Sequence, residues 1–277
     1  MKKLTDRTAV ITGAGSGIGR ATSLLLAEKG CRLALSDINR EGLAETERMV
    51  RELGRPVSTH IVDVADKQRM GEFAREVVEA HGSVHVLVNN AGVSVVKSFV
   101  DHSLEDFEWL MGINFWGVVH GCHFFLPHIL QSAEGHIVNI SSLFGLIGVP
   151  QQTSYCASKF AVRGFTESLR VELARTNVGV TSVHPGGVAT NIAAASRIGD
   201  GDALQAAHQR TVNAFKKMLP PSAAARSIVA GIERNKSRVL ITRETYVADT
   251  VKRLLPEKSI DLIAWGYDRY LSKGLGH

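Results

Sequence analysis

The stretch Thr8-Ala9-Val10-Ile11-Thr12-Gly13-Ala14-Gly15-Ser16-Gly17-Ile18-Gly19 runs from a short β-branched segment through a glycine cluster into a helical pattern. Glycines between a strand and a helix allow a tight turn at which the backbone can approach an anion. The helix that follows faces this anion with unpaired N–H groups and the positive end of its dipole. The stretch therefore predicts a pyrophosphate-binding turn, and a purely structural glycine turn is the alternative.

Six more short apolar runs follow, separated by helical patterns: Arg32–Ser36, Val57–Val62, Val84–Val88, His136–Ile140, Val178–Val183 and Val239–Thr242. The first helical patterns span Gly17–Lys29, Arg40–Leu53 and Lys67–His81. Strands that are apolar throughout are typical of a parallel sheet covered on both faces by helices. The alternation predicts one doubly wound α/β (Rossmann) domain over residues 1–277, with a seven-stranded parallel sheet.

Composition and charge exclude several classes of protein. The 277 residues are 44% hydrophobic and 21% charged, an ordinary globular balance. No run approaches the roughly 18 apolar residues of a membrane span, and no apolar segment of signal-peptide type follows the basic N-terminus. The cysteines Cys31, Cys122 and Cys156 are far apart, so we expect no disulfide framework, no zinc site and a cytoplasmic location.

The net charge of +5 is unevenly placed, because residues 197–277 carry 14 Lys and Arg against 8 Asp and Glu. This surplus predicts a solvated basic surface, with weak contact to an anionic membrane surface as the alternative. No basic run interleaved with aromatic residues supports nucleic-acid binding.

Asp37 follows the second apolar run, 18 residues after Gly19. A carboxylate there accepts hydrogen bonds from the adenosine ribose hydroxyls and repels a 2′-phosphate, which favours NAD over NADP. Neither Ser16 nor Ile38 offers a cation to a phosphate, although Arg40 lies close in sequence. A helix N-cap is the alternative role for Asp37.

Tyr155 and Lys159 are four residues apart within a helical pattern over Gln152–Arg175, so they share one helix face. An ammonium close to a phenol stabilises the phenolate and lowers the phenol pKa from about 10. Tyr155 could then exchange a proton with an alcohol or carbonyl oxygen. This spacing is common, so the pair alone is weak evidence.

Further motifs occur around this pair in a fixed order. Thr12–Gly19 fits TGxxxGxG, Asn89–Gly92 reads NNAG, Asn139–Ser142 precedes Tyr155-x-x-x-Lys159, and Pro185-Gly186 follows the sixth apolar run. In this order the motifs resemble the classical type of the short-chain dehydrogenase/reductase family, over residues 5 to about 245. The resemblance implies an alcohol dehydrogenase or ketone reductase that uses NAD, with NADP less favoured.

The resemblance also implies roles for individual residues. Tyr155 would be the general acid/base, Ser142 would orient the substrate oxygen, Lys159 would bind the nicotinamide ribose, and Asn114 would complete a proton relay through water. The expected cofactor contacts are Gly13, Ser16, Gly17, Ile18, Gly19, Asp37, Ile38, Asp63, Val64, Asn90, Ala91, Gly92, Tyr155, Lys159, Pro185, Gly186, Val188 and Thr190.

The substrate is less well defined by the sequence. The expected contacts are Ser142, Leu143, Phe144, Gln152, Tyr155 and Gly187, with Ser94 and Val149 in the same wall. These residues are mostly apolar, and the segments Ser36–Leu43 and Arg253–Glu257 resemble hydroxysteroid and retinol dehydrogenase-like members. A hydrophobic secondary alcohol or ketone is therefore expected.

Two segments lie outside the common pattern. Residues 190–219, including Gly199-Asp200-Gly201, break the strand–helix rhythm and are interpreted as a substrate lid, with an ordinary connecting helix as the alternative. Residues 244–277 are expected to form a helical extension whose apolar face packs on the core or on another subunit, with covering of the substrate pocket or contact with a membrane surface as the alternatives. The resemblance implies a homodimer or homotetramer.

Other functions and residues are less favoured. One alternative is a reductase of small polar ketones or diketones, and another is a catalytically silent nucleotide sensor; the chain lacks the G-x-S-x-G elbow of a serine hydrolase. His184 is expected at the pocket edge as a spectator. His120, Cys122 and His123 share one helix without the further ligands of a metal site, so no metal is expected.

Overall fold

The computed structural model of the protein describes residues 1, 3–199 and 202–274. Its strands are β1 Thr8–Thr12, β2 Arg32–Asp37, β3 Val57–Ile61, β4 Val86–Asn89, β5 Val95–Val96, β6 Gly135–Ile140, β7 Val178–Pro185, β8 Arg197–Ile198 and β9 Arg238–Ile241. Its helices are α1 Gly17–Glu28, α2 Arg40–Glu52, α3 Lys67–His81, α4 Leu104–Met111, α5 Gly117–Leu130, α6 Thr153–Glu172, α7 Asp202–Phe215, α8 Pro221–Glu233, α9 Arg243–Leu254 and α10 Lys258–Gly274.

Seven strands form one parallel sheet in the order β3-β2-β1-β4-β6-β7-β9. The strand order reverses between β1 and β4, and in open α/β sheets the crevice at such a reversal is where ligands bind. The predicted seven-stranded doubly wound sheet is confirmed, and its strand bounds differ from prediction by one or two residues. Asp37 ends β2 rather than following it.

Helices cover both faces of the sheet because successive strand residues point to opposite sides. Ile11 and Val88 pack with the apolar residues of α1, α2 and α8. Their neighbours Val10 and Leu87 pack on the other face, against α3, α5 and α6. Both cores consist of buried, mostly aliphatic side chains, with Phe73 and Phe125 in the second, and they fix the sheet between two packed layers.

Side chains define where several helices begin. Asn39 accepts a hydrogen bond from the Gly42 amide at the start of α2, Asp66 does so from Arg69 at α3, and Ser103 from Asp106 at α4. Such caps satisfy amides that have no partner within the helix. Between α4 and α5 the chain makes a π-helical turn, Gly112–Trp116, a rare conformation that is often found at functional sites.

A second, two-stranded sheet pairs β5 with β8 in parallel. The sequence did not predict it, because two-residue strands carry no periodic pattern. The pairing attaches the segment of residues 190–219 to the chain that follows β4. The last residue of this segment also meets the chain just before its start. Val188 forms a parallel bridge with Leu219, and the Ala189 amide donates to the Leu219 carbonyl at 2.9 Å.

The C-terminal extension forms helices α9 and α10, and most of its described apolar side chains are exposed rather than packed on the core, so packing on another subunit stays a prediction. Leu254 is 74% exposed and Ile260 61% exposed, and Leu255, Leu262 and Trp265 are also exposed. Among the side chains of residues 244–266, the buried ones are the polar Thr245 and Ser259. The predictions for the side chains of Tyr267, Tyr270 and Leu271 lie outside the described residues, as do Asp200 and Gly201.

Candidate active site

The glycine turn after β1 has the backbone that its sequence predicts. Gly13 and Gly17 have φ values of 64° and 53°, a region that side chains other than glycine rarely adopt. Gly19 faces the Gly13 carbonyl so closely that a Cβ atom there would collide with the backbone. The Ser16 side chain makes no capping bond to α1 among the described residues. The turn thus leaves helix amides available to an anion.

Asn90 joins the end of β4 to this turn. Its side-chain amide donates to the carbonyls of Thr12 and Gly13 at 3.0 and 3.1 Å. In return, the Thr12 hydroxyl accepts from the amides of Asn90 and Ala91. The polar groups at the carboxyl ends of β1 and β4 therefore form one rigid unit at the strand-order reversal.

Asp37 lies against the turn at the end of β2. Its Oδ2 accepts from the Gly15 amide at 2.8 Å and its Oδ1 from the Asn39 amide at 2.9 Å. Ile38 beside it is 68% exposed. The nearby cation Arg20 is occupied, since it donates to the Gly15 and Gly42 carbonyls and pairs with Glu45 at 2.7 Å. The edge of the turn therefore carries a fixed carboxylate.

Asp63 and Val64 follow β3 at the same edge of the sheet. Asp63 is exposed and its carboxylate accepts from the Ala65 amide at 2.9 Å, while Val64 is buried. The Val64 carbonyl contacts the His120 ring at 3.0 Å. The His120 ring is thus bound to a backbone carbonyl. Among the described residues, no group of three or more His, Cys, Asp or Glu side chains could hold a metal ion.

Ser142, Tyr155 and Lys159 come together at the carboxyl end of β6. Ser142 lies two residues beyond this strand and begins a 3₁₀ turn, Leu143–Gly145, in which its Oγ accepts from the Phe144 amide. The Ser142 side chain lies close enough to the Tyr155 hydroxyl to lower the pKa of Tyr155. Lys159 is buried one helical turn further on, with Nζ 3.0 Å from the Ile140 carbonyl and 5.6 Å from the centre of the Tyr155 ring.

The electrostatics of this group differ from the sequence expectation. Burial raises the pKa of Tyr155 to about 12, and the hydrogen bond from Ser142 only partly offsets this rise. Burial likewise lowers the pKa of Lys159 to about 8. The predicted lowering of the Tyr155 pKa by Lys159 is therefore wrong for the protein alone, because desolvation of the phenolate is the largest influence on this pKa.

Asn114 lies fully buried in the π-helical turn rather than in a regular helix. Its Oδ1 accepts from the Val93 amide at 2.8 Å, and its Nδ2 donates to the Val93 carbonyl and to Ser158 Oγ at 3.0 and 3.2 Å. These contacts connect the chain after Gly92 to α6. A Cβ atom on Gly92 would lie 3.5 Å from Lys159 Nζ, so Gly92 is close to the lysine.

The loop after β7 forms the other side of the crevice. Pro185 is buried, the Gly186 amide donates to the Ile241 carbonyl at 3.0 Å, and the Gly187 amide donates to Glu244 at 3.1 Å. Met218 lies directly over Gly187, and Thr190 lies against Gly17 of the first turn. The predicted contacts Gly13–Gly19 and Pro185–Thr190 thus face one another.

Side-chain contacts join some of the residues that are predicted to contact the substrate. Phe144 meets the Tyr155 ring edge to face at 6.2 Å, and Ser94 Oγ donates to Gln152 at 3.3 Å. Leu143, Val149 and Gly187 are partly exposed. The group leaves an apolar surface next to the Ser142 and Tyr155 hydroxyls.

A polar cluster attaches the segment of residues 190–219 to α4. Arg197 pairs with Asp106 at 2.7 Å and stacks on Trp109 with its guanidinium carbon 3.5 Å from the ring centre. Lys97 binds the second oxygen of Asp106 at 2.6 Å. The cluster lowers the pKa of Asp106 through hydrogen bonds from Lys97 and Arg197. We call these four residues the clasp.

Sequence reasoning missed the clasp, Glu244 and the position of His184. His184 is fully buried next to Ser142 rather than at the pocket edge. The clasp spans 91 residues between Asp106 and Arg197, and no local pattern reveals such a contact. Glu244 belongs to no motif. His184 could have been suspected from its place directly before Pro185-Gly186.

Comparison with known proteins settles which family has this arrangement. The family model described as short chain dehydrogenase matches residues 7–200. The chain belongs to the short-chain dehydrogenase family. It is 43% identical over 275 residues to a Mycobacterium tuberculosis protein with the name "Putative oxidoreductase SadH". The match covers 98% of each of the two chains. It is also 34% identical to the oxidoreductase YxnA of Bacillus subtilis, over 92% of this chain and 68% of that protein.

Solved structures agree with this short-chain dehydrogenase assignment. A short-chain dehydrogenase/reductase from Burkholderia phymatum in complex with NAD has a TM-score of 0.86 and 32% identity, covering 95% of this chain and 96% of the other. A short-chain dehydrogenase from Mycobacterium paratuberculosis bound to NAD has a TM-score of 0.76 and 28% identity, covering 86% and 97%. The protein is therefore an oxidoreductase of this family with a Rossmann fold. In the part of the chain that the structure describes, no helix combines the length and apolar character needed to cross a membrane.

Proposed function

We propose that this short-chain dehydrogenase interconverts a hydrophobic secondary alcohol and its ketone with NAD(H), and that Tyr155 is the general acid/base. One observation carries the proposal: the side chains of Ser142 and Tyr155 lie near each other beside the buried Lys159 at the end of β6. NAD, when bound, donates or accepts the hydride.

The protein's own groups would manage the proton and the substrate oxygen. In the direction of reduction, the Ser142 hydroxyl donates a hydrogen bond to the carbonyl oxygen and stabilises its developing charge. The Tyr155 hydroxyl transfers its proton to that oxygen as it becomes an alcohol. The raised pKa of Tyr155 keeps this proton in place until substrate and cofactor are bound. The Lys159 ammonium then stabilises the phenolate that remains, and Asn114 is proposed to complete the proton relay.

The residues of the crevice fit a dinucleotide. The turn Gly13–Gly19 offers helix amides and a surface that a Cβ atom would fill, which suits a pyrophosphate. Asp37 is fixed at the turn where it would accept from ribose hydroxyls and repel a 2′-phosphate, so NAD is proposed over NADP. Asp63, Val64, Asn90, Ala91 and Thr190 lie around the same crevice and are proposed as further contacts. The two NAD-bound relatives support the choice.

The apolar wall supports the substrate class. Phe144 lies against the Tyr155 ring and Met218 against Gly187. We propose that these side chains and Leu143 line the position of the reacting carbon, and that the segment of residues 190–219 covers it as a lid. Each buried methylene contributes about 0.8 kcal/mol to binding, so larger apolar ketones gain most from such a wall. The similarity to hydroxysteroid and retinol dehydrogenase-like members stays part of this proposal.

A second candidate is the reduction of a small polar ketone or diketone. The favouring observation is the likeness to levodione reductase, with a TM-score of 0.77 and 27% identity over 88% of this chain. The Ser142 and Tyr155 hydroxyls would act on either kind of ketone equally. The apolar residues around them would therefore determine which of the two substrate classes is preferred.

A panel of ketones with graded apolar size tests the proposal. Purified protein is mixed with NADH or NADPH, and cofactor oxidation is followed at 340 nm. We expect turnover with NADH, and kcat/KM that rises about fourfold for each added methylene. Faster turnover of small diketones would favour the second candidate. Tight NADH binding without turnover of any ketone would favour a nucleotide sensor.

Assembly and location are also proposals. Trp116, Phe160 and Val171 are exposed apolar residues on the π-helical turn and α6, which favours association into a homodimer or homotetramer. The three cysteines are all free and buried, which favours a reducing compartment such as the cytoplasm. Weak contact of the basic C-terminal region with a membrane surface would not change the chemistry.

A further inference from the structure

His184 lies at the junction between β7 and the candidate active site. Its side chain is fully buried, with Nδ1 3.1 Å from the Ser142 carbonyl oxygen and Nε2 3.0 Å from Ser182 Oγ. Ser182 and His184 are two apart in β7 and so share one face of the strand. Both ring nitrogens are thus engaged, and the ring is shielded from solvent.

The two partners determine which nitrogen of His184 carries the proton. A carbonyl oxygen only accepts, so Nδ1 must donate to Ser142. In a neutral ring Nε2 is then the acceptor, and the Ser182 hydroxyl donates to it. Burial lowers the pKa of His184 to about 4, so the ring is neutral at pH 7. The result is a fixed Nδ1–H tautomer.

The Ser142 peptide is where the chain leaves the sheet. The last paired residues of β6 and β7 are Ile140 and Val183, and the Ser141 amide still donates to Val183 at 2.8 Å. Beyond this point the ladder no longer fixes the backbone. The Ser141 hydroxyl donates to the Lys159 carbonyl at 2.8 Å and secures the preceding residue to α6. The Ser142 carbonyl accepts from the Gly145 amide at 3.0 Å within the 3₁₀ turn, and the His184 ring is the contact that joins this carbonyl to β7.

We propose that His184 is a positioning residue: its Nδ1–H holds the Ser142 carbonyl and thereby sets the Ser142 hydroxyl relative to Tyr155. The inference rests on the proposed function, because Ser142 orients the substrate oxygen there. A proton-transfer role for His184 does not fit, since its ring is shielded from the crevice and both nitrogens are occupied.

Two substitutions separate the two contacts of the ring. In His184→Asn the amide nitrogen lies near the position of Nδ1 and keeps the bond to Ser142. In His184→Gln the amide lies near Nε2 and keeps only the Ser182 contact. We expect kcat to fall about tenfold to hundredfold in His184→Gln and to stay within about threefold of the original in His184→Asn, with KM for NADH unchanged.

His136 provides the matched control. It is a second fully buried histidine on the adjacent strand β6, and its Nε2 contacts Thr181 Oγ1 at 2.7 Å without touching Ser142. His136→Gln is expected to lower the melting temperature and to leave kcat of the folded fraction unchanged. Equal losses of kcat in His184→Gln and His184→Asn, or a loss that merely follows stability as in the control, would overturn the inference.

A double-mutant cycle tests whether His184 acts through Ser142. In the Ser142→Ala background, His184→Gln should reduce kcat by no more than about twofold, because the hydroxyl that it positions is gone. An undiminished loss in that background would contradict the proposal.

The tautomer gives a readout that does not depend on activity. The ¹⁵N shifts of labelled histidine should show His184 as the neutral Nδ1–H tautomer between pH 5.5 and 8, in the original protein and in Ser142→Ala. An Nε2–H tautomer would refute the positioning role even if a substrate is found. An inactive protein with the Nδ1–H tautomer would instead count against the proposed function while the Ser142 contact stands.

Discussion

Asp37 Oδ2 lies 2.8 Å from the Gly15 amide and accepts its hydrogen bond, so the carboxylate at the end of β2 is fixed to the glycine turn. The same carboxylate accepts from Asn39 through its other oxygen. Two backbone donors hold its charge at the place that we propose for the adenosine ribose, where NAD and NADP differ by one phosphate.

The first prediction concerns this carboxylate. Asp37→Ala should lower the ratio of kcat/KM with NADH to kcat/KM with NADPH about tenfold to hundredfold, because the repulsion of the 2′-phosphate is lost. Asp101→Ala removes the same charge from an exposed site and should leave the ratio unchanged. If the unsubstituted protein prefers NADPH to NADH, our interpretation of Asp37 is wrong.

The second prediction concerns close packing at Gly19. Gly19 lies in α1, and Gly19→Ala places a methyl group against the Gly13 carbonyl. We therefore expect a lower melting temperature and NADH binding weakened at least tenfold. Gly164→Ala is the matched control, since Gly164 is also helical and has no atom within 4 Å of an added Cβ. It should raise stability by up to about 1 kcal/mol. Equal effects of the two substitutions would argue against a tight turn.

The third prediction concerns the clasp. Arg197→Ala removes an ion pair with Asp106 and a stack on Trp109, together about 1–2 kcal/mol at a partly exposed site. Amide hydrogen exchange in β8 and in the described part of α7 should therefore accelerate about fivefold to thirtyfold. Arg210→Ala removes an equal charge from α7 and should not accelerate exchange in β8. Unchanged exchange in Arg197→Ala would mean that the clasp does not hold the segment.

The fourth prediction concerns acid stability. Burial lowers the pKa of His136 to about 3 and of His184 to about 4. Because the unfolded chain binds these protons below about pH 6.5 and the folded protein does not, stability should fall as pH drops from 6.5 toward 4. Each ring contributes a slope of about 1.4 kcal/mol per pH unit. His136→Gln should reduce the slope of unfolding free energy against pH, whereas substitution of the exposed His123 should not.

The sequence predicted the parts of the fold that depend on local chemistry. The glycine turn, the seven strands and the shared helix face of Tyr155 and Lys159 follow from backbone geometry and short spacings, so the order of residues alone was enough to place them. The grouping of Ser142 with this pair required knowledge of a family, because Ser142 and the pair belong to different elements.

The remaining features depend on contacts between distant segments. Arg197 meets Asp106 across 91 residues, and the two-residue strands β5 and β8 exist only because they meet each other. The raised pKa of Tyr155 reflects burial, which spacing does not reveal. The apolar pattern of the C-terminal extension predicted helices correctly but not their exposure, since periodicity shows that a face is apolar and not what covers it.

Tyr155→Phe tests the proposed role of Tyr155 most directly, because it removes one hydroxyl and keeps the ring that packs on Phe144. NADH-dependent ketone reduction and NADH affinity are measured on the same preparation. We expect kcat to fall at least about a thousandfold and the Kd for NADH to change less than about threefold. Turnover close to that of the original protein would contradict the assignment of Tyr155 as the general acid/base.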